Sequence, residues 1–235
     1  TTPENPVIER DIQVMVDGAP RWFHSVSRAI WSDDEVPVYH GSIGKIVDIH
    51  ETRERLMELQ YKASHDPLTG LLNHPSARQA IVDRMTASPE GNFVFMILDL
   101  DFFKEANDNF GHQFGDEVLR HFARRLLASV RDRDIVARVG GDEFLIFAPG
   151  LAAGPATDRV LEHLARGPYA AQRATDSAAR AARESQGRAT PTISIGAACC
   201  LTPPMPFEAL YAVADSTLYQ AKEAGKAQYR LTIIG

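Results

Sequence analysis

The chain has 235 residues, 44% hydrophobic and 24% charged, the profile of an ordinary globular protein. Its net charge of −6 offers nothing for a general nucleic-acid or membrane surface. No apolar run reaches the roughly 20 residues that span a bilayer, and the N-terminus lacks a basic-then-apolar leader, so a cytoplasmic location is expected.

The length suits one domain of about 150 to 170 residues plus something smaller. At the front, Arg10 to Val16 alternates as a strand, Asp17-Gly18 reads as a hairpin turn, and Arg21 to Ile30 and His40 to Ile49 read as two further strands. Three antiparallel strands without helices are hardly a complete domain. A charged helix is predicted over His50 to Ser64. Its Ile49, Leu56 and Ala63 fall seven apart with Leu59 between them, which suits either a short coiled-coil seam or packing on its own domain.

A helix is predicted over Ser76 to Met85, with Pro75 in its first turn. Phe93 to Leu98 is wholly apolar, as a central strand is, and stops abruptly at Asp99-Leu100-Asp101. A segment rich in Asn, Asp and Gly runs from Phe102 to Phe114. The long amphipathic helix after it turns Val118, Leu119, Phe122, Leu126 and Leu127 inward. Ile135 to Val139 and Phe144 to Phe147 read as strands joined by Gly140-Gly141-Asp142-Glu143, residues that close a tight hairpin. Helices are predicted at Thr157 to Leu164, Tyr169 to Ser185 and Phe207 to Ala224, with strands at Thr192 to Ala198 and Leu231 to Ile234. The adjacent Cys199 and Cys200, the only cysteines, should point to opposite faces of a strand as reduced structural thiols. The order of elements reads as α+β, a palm-like antiparallel sheet flanked by helices.

Asp142 and Glu143 thus sit on a hairpin tip, where they can converge with the acids that end the apolar strand. Convergent carboxylates suit Mg²⁺, a hard ion that keeps positions open for phosphate. Five further features stand at fixed spacings: Phe102-Phe103-Lys104, Asn107-Asp108, Gly111-His112, Gly115-Asp116 and the Gly140-to-Phe144 hairpin itself. Together they resemble the catalytic core of GGDEF-domain diguanylate cyclases from about Ser64 to about Lys226. Asp66 to Asn73 matches that family's opening motif, although His74 stands where Arg is usual. The front strands, with Asp17-Gly18, Arg21-Trp22 and Gly44 to Asp48, are similar to the C-terminal half of a PAS sensor domain. The resemblance implies a partial sensor over residues 1–49, a helical linker over 50–65 and a catalytic domain over 66–235.

It also implies roles. Asp99, Asp142 and the Leu100 carbonyl would hold Mg²⁺ or Mn²⁺, with Glu143 a further metal ligand or a helper in deprotonating a 3′-hydroxyl. Asp101 matches a family acid that is either structural or close to the chemistry. Asn107 and Asp116 stand at the guanine-reading positions, and Asp116 could equally cap a helix. Lys104, Lys222 and Lys226 would meet phosphates. Phe102 and Phe103 would line the pocket, and His112 matches a family position that suits a structural histidine as well. The family usually has Arg-Asn at Lys226-Ala227. Arg131 and Asp134 match the family's R-x-x-D product-binding signature. The implied activity condenses two GTP into cyclic di-GMP and two pyrophosphates in a homodimer, with product inhibition. Its alternatives are a silent cyclic di-GMP or GTP receptor, or a palm enzyme using ATP, which Asn107 and Asp116 disfavour. The input sensed by the front strands is not legible.

Overall fold

A computed structural model describes residues 2, 4–88, 91–165, 191–201 and 205–235. The helix expected over Tyr169 to Ser185 lies outside the described residues. The chain divides into two compact units, Thr1–Ala63 and Ser64–Gly235.

In the first unit β1 (Val7–Val16), β2 (Ala19–Trp31) and β3 (Tyr39–Asp48) form an antiparallel sheet in that order. Asp17 (φ 51°) and Gly18 (φ 81°) both lie in the left-handed region, the requirement of a two-residue turn that follows strand twist. Helix α1 (His50–Ser64) buries none of its residues. It is tied to its own sheet at its first turn. There Arg53 reaches the Asp11 carboxylate at 3.0 Å and lies 4.0 Å from the centre of the Trp22 ring. Leu56 and Leu59 stay exposed.

Among its described residues the second unit is a six-stranded sheet with helices on both faces. Its elements are β4 (Leu72–Asn73), α2 (His74–Ala87), β5 (Phe93–Asp101), α3 (Phe103–Phe110), α4 (His112–Ser129), β6 (Ile135–Gly140), β7 (Glu143–Pro149), α5 (Pro155–Ala165), β8 (Thr192–Cys200), α6 (Phe207–Glu223) and β9 (Tyr229–Ile234). The strand order is β4-β6-β7-β5-β8-β9. The four inner strands are antiparallel as expected, but β4 joins β6 and β9 joins β8 in parallel, so the sheet is mixed.

Strand β5 is apolar from Phe93 to Leu98 because both its faces are covered. Val94, Met96, Leu98 and Leu100 pack with Val118, Phe122 and Leu126 of α4 and with Leu161 of α5. Phe93, Phe95 and Ile97 pack on the other face with Ala77 and Ile81 of α2 and with Phe207, Leu210, Ala214 and Leu218 of α6. Cys199 and Cys200 divide between these layers, both buried and free. At Gly196 a Cβ would lie 2.2 Å from the Ala214 carbonyl oxygen, so glycine lets α6 lie directly on β8.

A further expectation is corrected. Leu127 is 53% exposed, since it stands about 100° round α4 from Leu126 and off the buried stripe. The polar stretch after β5 is largely helical, as α3, with Gly111 (φ 84°) separating it from α4.

After α6 the chain turns into β9 through Gly225, Lys226 and Ala227, all at positive φ. Ala227 (φ 50°) carries a Cβ that this region disfavours, yet its N–H is held at 3.1 Å from Asp101 Oδ2. Ala227→Asn keeps that N–H and suits the left-handed region better. It should raise unfolding free energy by about 0.5–1 kcal/mol in urea titrations, and an unchanged or lower midpoint would show that the turn is unstrained.

Candidate active site

The site is built where β5 leaves the core. Asp99 pairs directly with Glu143 of β7, so their side chains share one face of the sheet. The Leu100 N–H donates to the Asp142 carbonyl oxygen at 3.3 Å, which fixes the hairpin tip against the strand end. Asp99 is only 7% exposed, and the Lys222 ammonium from the last turn of α6 lies 2.8 Å from its Oδ2. Burial pushes the Asp142 and Glu143 carboxyls above their ordinary range, and the Asp99 charge adds to it. Lys222 acts in the opposite direction on both. Three acids crowded to this degree call for more positive charge than one lysine brings. Among the described residues no three Asp, Glu, His or Cys side chains form a ready-made metal cluster. The oxygen-only donor set nevertheless suits a hard divalent ion that keeps open positions.

Asp101, two residues on and facing the same way, does something else. It is 2% exposed and accepts from Thr192 Oγ1 (2.7 Å), Ser194 Oγ (2.7 Å) and the Ala227 N–H (3.1 Å). Those donors occupy both its oxygens, so Asp101 braces β8 and the 225–227 turn.

The residues expected to face a nucleotide follow on α3 and α4. Phe102 (φ 60°) precedes α3, and the Lys226 ammonium lies 4.0 Å from the centre of its ring. Phe103 packs partly into the core. Lys104 and His112 are exposed, each at the start of its helix. Asn107 Oδ1 is buried without a hydrogen-bond partner. It fits only because residue 115 is glycine: a Cβ there would lie 1.9 Å from it. Asp116 is half-buried beside that glycine, with Arg120 of the next turn at 3.8 Å. It is no cap, since the N-cap of α4 is Gly111.

Residues 63–228 match the family model described as "Diguanylate cyclase, GGDEF domain". The chain belongs to the GGDEF diguanylate cyclase family. An "Uncharacterized signaling protein" of Caulobacter vibrioides is 38% identical over 193 residues, 78% of this chain and 22% of that protein. Diguanylate cyclase DgcS of Shewanella oneidensis is 34% identical over 179 residues, 74% of this chain and 55% of DgcS. The chain therefore spans no more than about half the length of these relatives. Among solved structures, the coiled coil and GGDEF domain of DgcB from Caulobacter crescentus in complex with c-di-GMP is similar. Its TM-score is 0.64 at 25% identity, covering 78% of this chain and 93% of that one.

At the far end of β6 from the hairpin of this GGDEF domain, Arg131 and Asp134 close a turn. Asp134 Oδ2 accepts the Arg131 N–H at 2.9 Å, and the Asp134 N–H donates to the Arg131 carbonyl at 2.9 Å. Asp134 Oδ1 is buried without a partner, while Arg131 is exposed. Beside the turn lies a cavity of about 280 Å³, lined by residues that include Arg84 and Arg133. β6 has six residues, so turn and hairpin are roughly 20 Å apart.

Sequence reasoning missed Arg138. It lies in β6 and donates through Nε (3.0 Å) and Nη2 (2.7 Å) to the Gly141 carbonyl at the hairpin tip. Its Nη1 meets Asp66 Oδ1 and Oδ2 at 3.1 and 3.2 Å. Asp66 also accepts the Thr69 N–H and hydroxyl, so the opening motif of the GGDEF domain is fastened to its hairpin. An arginine inside an otherwise apolar strand was the available signal. Burial would raise the Asp66 carboxyl, but the Thr69 and Arg138 donors outweigh it and hold Asp66 below the ordinary 3.8. A depressed carboxyl contributes stability that is complete above its unfolded value and is lost as pH falls through the folded one. Arg138→Ala should therefore cost about 1–3 kcal/mol at pH 7, read from urea denaturation, with the difference from wild type shrinking as pH drops below 3.8. A pH-independent difference would detach Arg138 from the Asp66 carboxylate.

Proposed function

We propose that the GGDEF domain is an active diguanylate cyclase that condenses two GTP into cyclic di-GMP and two pyrophosphates. The observation that carries this reading is the crowding of Asp99, Asp142 and Glu143 beside Lys222, together with the unmet hydrogen bond of Asn107 on α3. Asp99, Asp142 and the Leu100 carbonyl, with Glu143, would hold Mg²⁺ or Mn²⁺. Bound there, the ion would neutralise triphosphate charge and polarise the α-phosphate.

The rest falls to the chain's own residues. Whichever way its amide is turned, Asn107 presents a buried polar atom that a guanine edge would satisfy, and Asp116 accepts the guanine N1–H and exocyclic amine. An adenine edge would leave both mismatched. Lys104, Lys222 and Lys226 receive the triphosphate, and Phe102, Phe103 and His112 shape its surroundings. The 3′-hydroxyl oxygen of one GTP forms a bond to the α-phosphorus of the other, and the bond to the pyrophosphate breaks. Glu143 is the group we assign to accept the hydroxyl proton. Each domain supplies one nucleotide, so the full cycle requires two domains related by a two-fold axis. The product then binds at Arg131 and Asp134 and restrains further synthesis. We assign residues 1–49 to a partial PAS-like sensor, 50–65 to a signalling helix and 66–235 to the catalytic domain, in the cytoplasm. The intact acids weigh against a silent receptor.

Asp142→Ala should lower cyclic di-GMP formation by about 10²-fold or more while the thermal transition stays in place. Arg131→Ala should keep the initial rate and weaken product binding by roughly 10- to 150-fold, so that inhibition no longer sets in along the progress curve. Near-normal turnover by folded Asp142→Ala would reject the reading of the acids. An initial rate lost in Arg131→Ala would reject the feedback site.

A further inference from the structure

Lys222 and Asp99 form an unequal pair. The carboxylate side chain is 11% exposed and fixed in the sheet, whereas the lysine side chain is 33% exposed on the last turn of α6. A buried carboxylate needs a counter-charge at all times, while a flexible ammonium stem can swing to another anion. Glu143 stands directly opposite Asp99, so the ammonium also offsets repulsion between acids.

The position of this ammonium conflicts with the role proposed for its partner. At 2.8 Å it takes up Asp99 Oδ2 and places a positive charge where a divalent ion on that carboxylate would have to approach. We infer that Lys222 is a placeholder cation: it holds Asp99 until nucleotide arrives, opposes metal binding there, and releases the carboxylate when a triphosphate draws it away. The inference rests on the reading of Asp99 as a metal ligand. Metal alone then binds weakly, and metal and nucleoside triphosphate strengthen each other's binding by one shared factor. The domain would thus assemble its charged centre only around substrate.

The test is a Mn²⁺ titration of the full chain without nucleotide, following free Mn²⁺ by electron paramagnetic resonance. Wild type is compared with Lys222→Met and Lys222→Gln, which keep the stem and remove the charge. Both variants should bind Mn²⁺ about tenfold or more tightly than wild type, and Asp99→Asn added to either should erase the gain. Their thermal transitions should also rise with Mn²⁺ more than that of wild type. Equal or weaker Mn²⁺ binding by both variants overturns the inference, as does a gain that survives Asp99→Asn. GTP turnover by wild type is measured separately. Turnover without any gain rejects the placeholder alone, whereas a gain without turnover upholds it and rejects the cyclase.

Discussion

The GGDEF domain depends on a carboxylate held at the edge of a core. β5 is covered by helices on both faces, and its chain of apolar side chains ends at Asp99, which is still only 7% exposed. Charge in such a place is tolerated only with partners. Lys222 on α6 supplies one, and that tie requires α6 to lie close over β8, which Gly196 permits. Helix placement, strand composition and site charge are consequences of one another here.

The second acid of the same strand shows how division of labour arises. Asp99 and Asp101 share a face, but Asp101 is saturated by Thr192, Ser194 and the Ala227 N–H. It anchors the turn that carries Lys226 toward Phe102. Arg138 plays the matching part for the hairpin, joining the Gly141 carbonyl to Asp66. The acids and lysines of the site thus stand on a scaffold in which Asp101, Asp66 and Arg138 are paired. Among the described residues of this unit the buried atoms without a hydrogen-bond partner are His74 Nε2, Asn107 Oδ1 and one Asp134 oxygen, and the last two lie at the places assigned to ligands.

Much of this was legible in the sequence, for physical reasons. A strand buried on both faces must be apolar and end abruptly, and Gly140-Gly141 followed by two acids makes a tight exposed turn, so β5 and the hairpin declared themselves. The stripe Val118, Leu119, Phe122 and Leu126 gave α4. Period-two alternation could not separate Asp99 from Asp101, because their roles are set by partners about a hundred residues away. The parallel edge strands were equally hidden: β4 is two residues long, too short for any periodicity. Arg138 escaped notice inside a strand read only for its apolar neighbours, and the helical start at His112 removed the capping role from Asp116.

The central claim is that this arrangement reads guanine and joins two of its triphosphates. It is tested most directly by offering the full chain equimolar GTP and ATP with Mg²⁺ and identifying products by mass. The account predicts cyclic di-GMP and pyrophosphate, with no adenine in any dinucleotide. An adenine-containing product, or none from either nucleotide, would contradict it.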